Sequence, residues 1–205
     1  MWPIYNHSKS ILSAFIDALF PPMIRHSDEQ TIRSLSALKK QCGHESLLPY
    51  RNKAVRQLLV GIKHRQDARC LSLGAALLSE HLKNYHNLHN RNHCITIIPA
   101  TAIRMQQYRY DHLSCLAALL SEDGDFCIDT TLFQWKHTVR RQNTLSKQER
   151  LHNVKHAFSV EKPIMKQTAY VIFDDVTTTG ATLKAARQSL LCAGARSVTT
   201  LALAR

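Results

Sequence analysis

Residues 169–183 read AYVIFDDVTTTGATL. The run YVIF at 170–173 is apolar and β-rich, too short for an amphipathic helix, and typical of a strand buried on both faces. Two adjacent carboxylates follow, Asp174 and Asp175, then Val176, three threonines, Gly180, Ala181 and Thr182. From about Thr182 the apolar residues Leu183, Ala186, Leu190 and Leu191 recur at three-to-four spacing, which predicts a helix. The stretch therefore reads strand, acidic pair, hydroxyl-rich turn, helix.

Such a sequence suits a phosphorylated sugar. A helix N-terminus presents unpaired backbone N–H groups, and the helix dipole adds partial positive charge. Gly180 lets the backbone bend tightly and approach an anion closely. Thr177, Thr178, Thr179 and Thr182 add hydroxyl donors. Asp174 and Asp175 repel a phosphate, but they accept hydrogen bonds from two neighbouring sugar hydroxyls or face a magnesium ion. No Gly-Lys-Ser/Thr follows, so the turn is not a Walker loop.

Composition sets the outer bounds. The 205 residues suffice for one sizeable α/β domain and a small appendage. With 44% hydrophobic and 20% charged residues the chain can build a core, which excludes global disorder. A formal net charge of +12 favours polyanionic partners such as nucleic acid or pyrophosphate-bearing substrates, or else serves as a solubility charge spread over the surface. Six cysteines include no CxxC pair and read as buried thiols rather than a disulfide framework or zinc site. No basic segment leads into a cleavable apolar stretch, and no apolar run approaches the ~18–20 residues that span a bilayer. A cytoplasmic protein without membrane insertion is the expectation.

The remaining elements follow from periodicity and punctuation. Residues 11–20 form an amphipathic helix stopped by Pro21 and Pro22, with a second helix near 31–39. Residues 47–67 read as one helix with a basic face of Arg51, Lys53, Arg56, Lys63, His64 and Arg65, and 71–82 as another. His86, His89 and His93 lie in a loop and lack the partners of a metal site. Strands are expected at 95–98, 126–133, 157–160, 170–173 and 197–204, the last after a helix stop at Gly194. A helix spans about 110–120, and Ser146 with Glu149 makes a capping box behind a basic loop.

Residues 172–183, IFDDVTTTGATL, resemble the phosphoribosyl pyrophosphate (PRPP) binding motif of type I phosphoribosyltransferases. The resemblance implies an α/β fold with a mainly parallel sheet flanked by helices. It implies that Asp174 and Asp175 hold the ribose hydroxyls while Thr177, Thr178, Thr179, Gly180, Ala181 and Thr182 hold the 5-phosphate. A loop after an early strand would bind pyrophosphate, here Pro99, Ala100, Thr101 and Arg104, with magnesium accompanying PRPP. The basic loop with Lys136, Arg140 and Arg141 would close over the leaving group, Arg140 or Arg141 balancing its charge; without that motif it reads as a solvated loop.

The likeness extends to one branch of that family. RRQNTLSKQERLHNVKHAFSV at 140–160 is similar to the Arg…Gln…Leu…Arg…Asn…Phe pattern of the ComF/GntX-like branch, YRNKAVRQLLVGIK at 50–63 resembles its Tyr…Leu-Leu…Lys segment, and Phe20-Pro21-Pro22 its Phe-Pro-Pro. That branch includes competence proteins that serve DNA uptake in natural transformation beside a helicase-like ATPase. Two departures stand out. The four-cysteine zinc module that often follows Phe-Pro-Pro is missing, so no structural zinc is expected, and residues 1–48 become a helical N-terminal segment ahead of a phosphoribosyltransferase-like domain at 49–205. The branch's Arg-Gly-Phe-Asn-Gln is replaced by YRYDH at 108–112. Three functions stay open: a transferase acting on an unidentified base, a DNA-uptake factor, and a nucleotide-binding regulator without turnover. For the second, Arg51, Lys53, Arg56, Lys63 and Arg65 would track the backbone of single-stranded DNA. Tyr50, Trp135 and Phe158 could stack bases, although core packing is the preferred reading.

Overall fold

The computed structural model of the chain describes residues 24–36, 39–41, 43–86, 93–108, 110–122, 126–136, 157–165 and 168–205. The expected helix at 11–20, the capping box at 146–149 and the basic residues Arg140 and Arg141 lie outside them. Strand β7 (Ala169–Val176) is the axis of the fold. It pairs in parallel with β3 (His93–Ile97) on one side and β8 (Ser197–Ala204) on the other. Beyond β8 lie β2 (His44–Leu48), parallel, and β1 (Lys39–Gln41), antiparallel at the edge. Beyond β3 lies β4 (Cys127–Asp129), also parallel. The six-stranded order is β1-β2-β8-β7-β3-β4, so the expected mainly parallel α/β sheet is present.

Burial explains the uninterrupted apolar runs. Tyr170, Val171, Ile172 and Phe173 are all buried, as are Leu201, Ala202, Leu203 and Ala204. A strand covered on both faces needs apolar side chains on both, which removes the alternation seen in half-exposed strands. Helix α6 (Ala181–Cys192) packs on β7, β8 and the short β6 (Phe158–Val160), while α5 (His112–Glu122) packs on α3 (Ala68–His86), β3 and β4. Helix α1 (His26–Leu35) lies against α2 (Lys53–Val60) and β2, and α4 (Ala102–Tyr108) follows β3.

Several boundaries differ from the sequence reading. Residues 44–48, assigned to the N-terminal segment, are a strand of the central sheet: Arg205 N–H donates to the Leu48 carbonyl and Tyr50 N–H to that of Arg205. The helix expected over 47–67 therefore starts only at Lys53, where the Asn52 side chain accepts from the amides of Ala54 and Val55. It then widens into a π-helical turn at Gly61–Arg65. The strand expected over 126–133 is two strands, β4 and β5 (Phe133–Trp135), because Asp129 accepts from both the amide and hydroxyl of Thr131 and turns the chain. The helix near 31–39 begins five residues earlier and ends at Leu35.

Strands β5 and β6 form a separate antiparallel pair. Phe158 is buried there between Phe133 and Trp135, with ring centroids 5.5 and 4.3 Å away, so it is core and cannot stack a base. Trp135 donates its indole N–H to the carbonyl of Pro99 at 2.7 Å, which ties this ribbon to the loop after β3.

Ile172 has no exposed surface and sits mid-sheet opposite Thr96 and Thr200. Ile172→Ala is expected to cost about 2–5 kcal/mol of stability by urea unfolding, through lost transfer energy plus a cavity. A loss under about 1 kcal/mol would mean that the sheet centre repacks freely.

Candidate functional site

The connections around β7 locate a crevice. From β3 the chain runs outward to β4, whereas from β7 it runs the other way through α6 to β8. The direction of winding reverses between β3 and β7, and their C-terminal ends open the cleft where ligands settle in open α/β sheets. Residues 98–101 follow one strand and 177–180 the other. The predicted pyrophosphate residues Pro99, Ala100 and Thr101 and the predicted phosphate turn thus flank one opening. Ile98 N–H donates to the Phe173 carbonyl at 3.1 Å, extending the ladder to the rim.

At the end of β7 the two carboxylates differ sharply. Asp175 is buried, and its Oδ2 receives the Nε2 of His112 in a short contact and the Nζ of Lys63 at 2.9 Å. Arg104 stands 4.0 Å from the same oxygen. Its Oδ1 accepts the Val176 N–H. Burial alone would raise the Asp175 pKa, but the His112 hydrogen bond and the Lys63 charge outweigh it and hold the group down at about 2. Asp174 is half-buried, its Oδ1 accepts the Asp175 N–H at 2.8 Å, and among the described residues it forms no ion pair with these groups. Desolvation first, and repulsion from Asp175 second, push it up to about 7. One carboxylate is a fixed anion and its neighbour titrates around neutral pH.

The hydroxyl-rich turn is built by a close approach. Gly180 has φ +74°, and a Cβ there would sit 2.2 Å from the ring of His44. Only glycine fits both the left-handed backbone and the histidine beneath it. His44 is buried, bonded through Nδ1 to the Thr200 hydroxyl at 2.7 Å. Burial, then the charges of Arg205, Arg187 and Lys184, lower its pKa, so the ring under the turn is neutral. Thr177 is buried and donates its N–H to the Ala204 carbonyl, while Thr178 and Thr179 are exposed. Helix α6 begins at Ala181 with no acidic residue in its first turn, leaving its N-terminal amides for an anion.

Asp174, Asp175, Arg104, the turn at 177–182 and the loop at 99–101 are thus gathered at one crevice. Of the basic residues assigned to nucleic acid, Arg51, Lys53, Arg56 and Arg65 are exposed. Lys63 is not on that face: it pairs with Asp175. Sequence reasoning gave neither Lys63 nor His112 a place in this site. His112 carried one signal, its position in the segment that departs from the branch pattern. Lys63 carried one too, as the lysine that closes the Tyr…Leu-Leu…Lys resemblance at 50–63, but a continuous helix would have placed it on the basic face instead.

No family model and no curated protein matches the chain. Among solved structures, a hypoxanthine phosphoribosyltransferase from Staphylococcus aureus is similar, at 18% sequence identity and a TM-score of 0.39. The match covers 65% of this chain and 61% of that one, less than two thirds of its length.

The carboxylates make stability depend on pH in two directions. Asp174 has a raised folded pKa, so its contribution is fully present below the ordinary value of 3.8 and is lost as pH rises through about 7. Asp175 has a lowered one, so its contribution is present above 3.8 and is lost as pH falls toward 2. Asp174→Asn should therefore gain on wild type in urea midpoint as pH rises from about 4 to 7. A difference that does not vary with pH would contradict the desolvated Asp174.

Proposed function

We propose that this chain is a phosphoribosyltransferase-like protein that binds PRPP or a ribose 5-phosphate group in the crevice between β3 and β7. The observation that carries the reading is the acidic pair at the end of β7, followed within one turn by Gly180 and the open N-terminus of α6. Sugar hydroxyls would donate to Asp174 and Asp175, and the phosphate would take the amides and hydroxyls of 177–182. Lys63 and Arg104 supply positive charge on the other side of the acids.

The donor set fits magnesium that arrives with the ligand. Among the described residues no group of three or more His, Cys, Asp or Glu could hold a resident metal. Magnesium needs only one or two carboxylates when substrate phosphates complete its shell, and Asp174 and Asp175 would hold it. The ion would neutralise part of the diphosphate charge. If transfer occurs, a base nitrogen bonds to the ribose C1 while the C1–oxygen bond breaks and pyrophosphate leaves with the electron pair. Positioning by the acids and the phosphate turn would then supply most of the catalysis.

The wider role we infer, from the resemblance at 20–22, 50–63 and 140–160, is DNA uptake during natural transformation. Exposed Arg51, Lys53, Arg56 and Arg65 would meet single-stranded DNA in the cytoplasm, beside a helicase-like ATPase. Among the described residues no helix is long and apolar enough to cross a membrane.

Calorimetric titration with PRPP and magnesium tests the pocket. Micromolar binding is expected in wild type, with at least about a tenfold loss in Asp174→Asn, which replaces one carboxylate oxygen by an amide donor and removes the charge that a sugar hydroxyl would meet. An unchanged affinity would move the sugar away from the acidic pair. Reversing charge at Arg51 and Arg56 should weaken single-stranded DNA binding and flatten its salt dependence by about one to two log units per log unit of salt. An unmoved slope would remove that helix from the DNA path.

A further inference from the structure

We propose that Lys63 is an exchangeable counter-ion, which holds Asp175 in the free chain and passes to the ligand's diphosphate when a sugar hydroxyl takes its place. The inference rests on the phosphoribosyl-binding reading above and gives Lys63 a role inside that site.

The argument starts from the occupancy of Asp175. Its Oδ2 is filled by His112 and Lys63, and its Oδ1 takes the Val176 amide. A carboxylate has about four lone-pair positions and three are taken, so one hydroxyl fits the free position, but a hydroxyl together with a water or metal crowds out a donor. Three groups could yield. The Val176 amide is fixed in β7. His112 is 2% exposed and starts helix α5, anchored by Asp111, which accepts from the amide of Leu113 and the hydroxyl of Ser114. Lys63 has 21% of its side chain exposed, on a flexible four-carbon stem, so it is the donor able to leave.

The backbone under Lys63 is a device for this placement. Helix α2 gives way at Gly61 to the π-helical turn, and Gln66 closes it in the left-handed conformation at φ 52°. Gln66 is the only non-glycine residue with positive φ among the described residues. Both the Gln66 and Asp67 amides donate to the Gly61 carbonyl. A Cβ on Gly61 would meet the Cys70 sulfur at 2.3 Å, so the turn is pressed against α3. Each residue of an α-helix turns about 100°, and the wider π-turn re-aims whatever follows it. Here it directs Lys63 at the end of β7.

The charges around Lys63 favour a diphosphate destination. Arg104 lies 4.0 Å from Asp175, and His64 is held below its usual pKa by burial first and then by Arg104 and Lys63. Once a hydroxyl displaces the ammonium from Asp175, the carboxylate keeps its charge beside Arg104 and Lys63 is left without an anion of its own. A diphosphate on the ribose C1 restores the balance, whereas a ligand whose sole phosphate is bound at the turn of 177–182 does not.

Titrations of the full chain with PRPP and with ribose 5-phosphate, each with magnesium, separate the possibilities. Lys63→Met should lower PRPP affinity at least about tenfold while ribose 5-phosphate binding holds or tightens. Lys63→Gln, which keeps a donor for Asp175 and so protects the fold, should show the same split, and Lys63→Arg should recover most of the PRPP affinity. If both ligands weaken equally, Lys63 acts only through Asp175 and the exchange is wrong while the pocket stands. If neither ligand binds wild type, the exchange and the phosphoribosyl reading fall together.

Discussion

A carboxylate taken out of water has to be matched by cations, and much of this site follows from that requirement at Asp175. An isolated charge at this depth would cost several kcal/mol and would protonate instead. Two cations and one hydrogen-bond donor from separate parts of the chain prevent it: the π-turn after α2 supplies Lys63, α4 supplies Arg104, and the head of α5 supplies the His112 hydrogen bond. These segments are far apart in sequence and converge only because β3 and β7 pair side by side. The interaction thus couples the sheet register to the placement of the loops at its C-terminal edge.

The same register separates the roles of the acidic neighbours. Successive residues of a strand point to opposite faces, so Asp174 and Asp175 cannot share one environment. Asp175 faces the cations, and Asp174 faces away from them toward a proton-retaining state near neutral pH. A vicinal diol offers two donors to two acceptors, and acceptors of unequal charge can still serve it together. On the phosphate side the neutral His44 ring supports Gly180 without adding a charge, leaving anion binding to the amides, the helix dipole and the hydroxyls.

Much of this was legible in the chain itself. The runs at 170–173 and 197–204 are apolar throughout, which two-sided burial demands, and the turn with Gly180 announces its own backbone. The crevice residues Asp174, Asp175 and 177–182 follow from strand, turn and helix signals close in sequence, whereas Arg104 was expected only from the family resemblance. What was hidden depends on tertiary contacts. The π-turn has no helical-period signature, because a single widened turn leaves α2 amphipathic on either reading. Strand β2 was hidden inside a helical pattern because Leu47 and Leu48 serve both templates, and only the Pro49 and Asn52 pair marks the break. Core packing was the preferred reading of Phe158, and the β5–β6 pairing encloses it between Phe133 and Trp135.

The position of Lys63 bears on which polyanion the chain can accept where. A nucleic-acid backbone offers phosphodiesters without free vicinal hydroxyls at each sugar in DNA, so it has nothing to give Asp174 and Asp175. Those carboxylates would repel it from the crevice. Among the described residues, the exposed arginines and lysine at 51, 53, 56 and 65 form no ion pair with an acid. Electrostatics therefore divide the surface: the crevice carries mixed charge, whereas Arg51, Lys53, Arg56 and Arg65 present basic side chains to solvent.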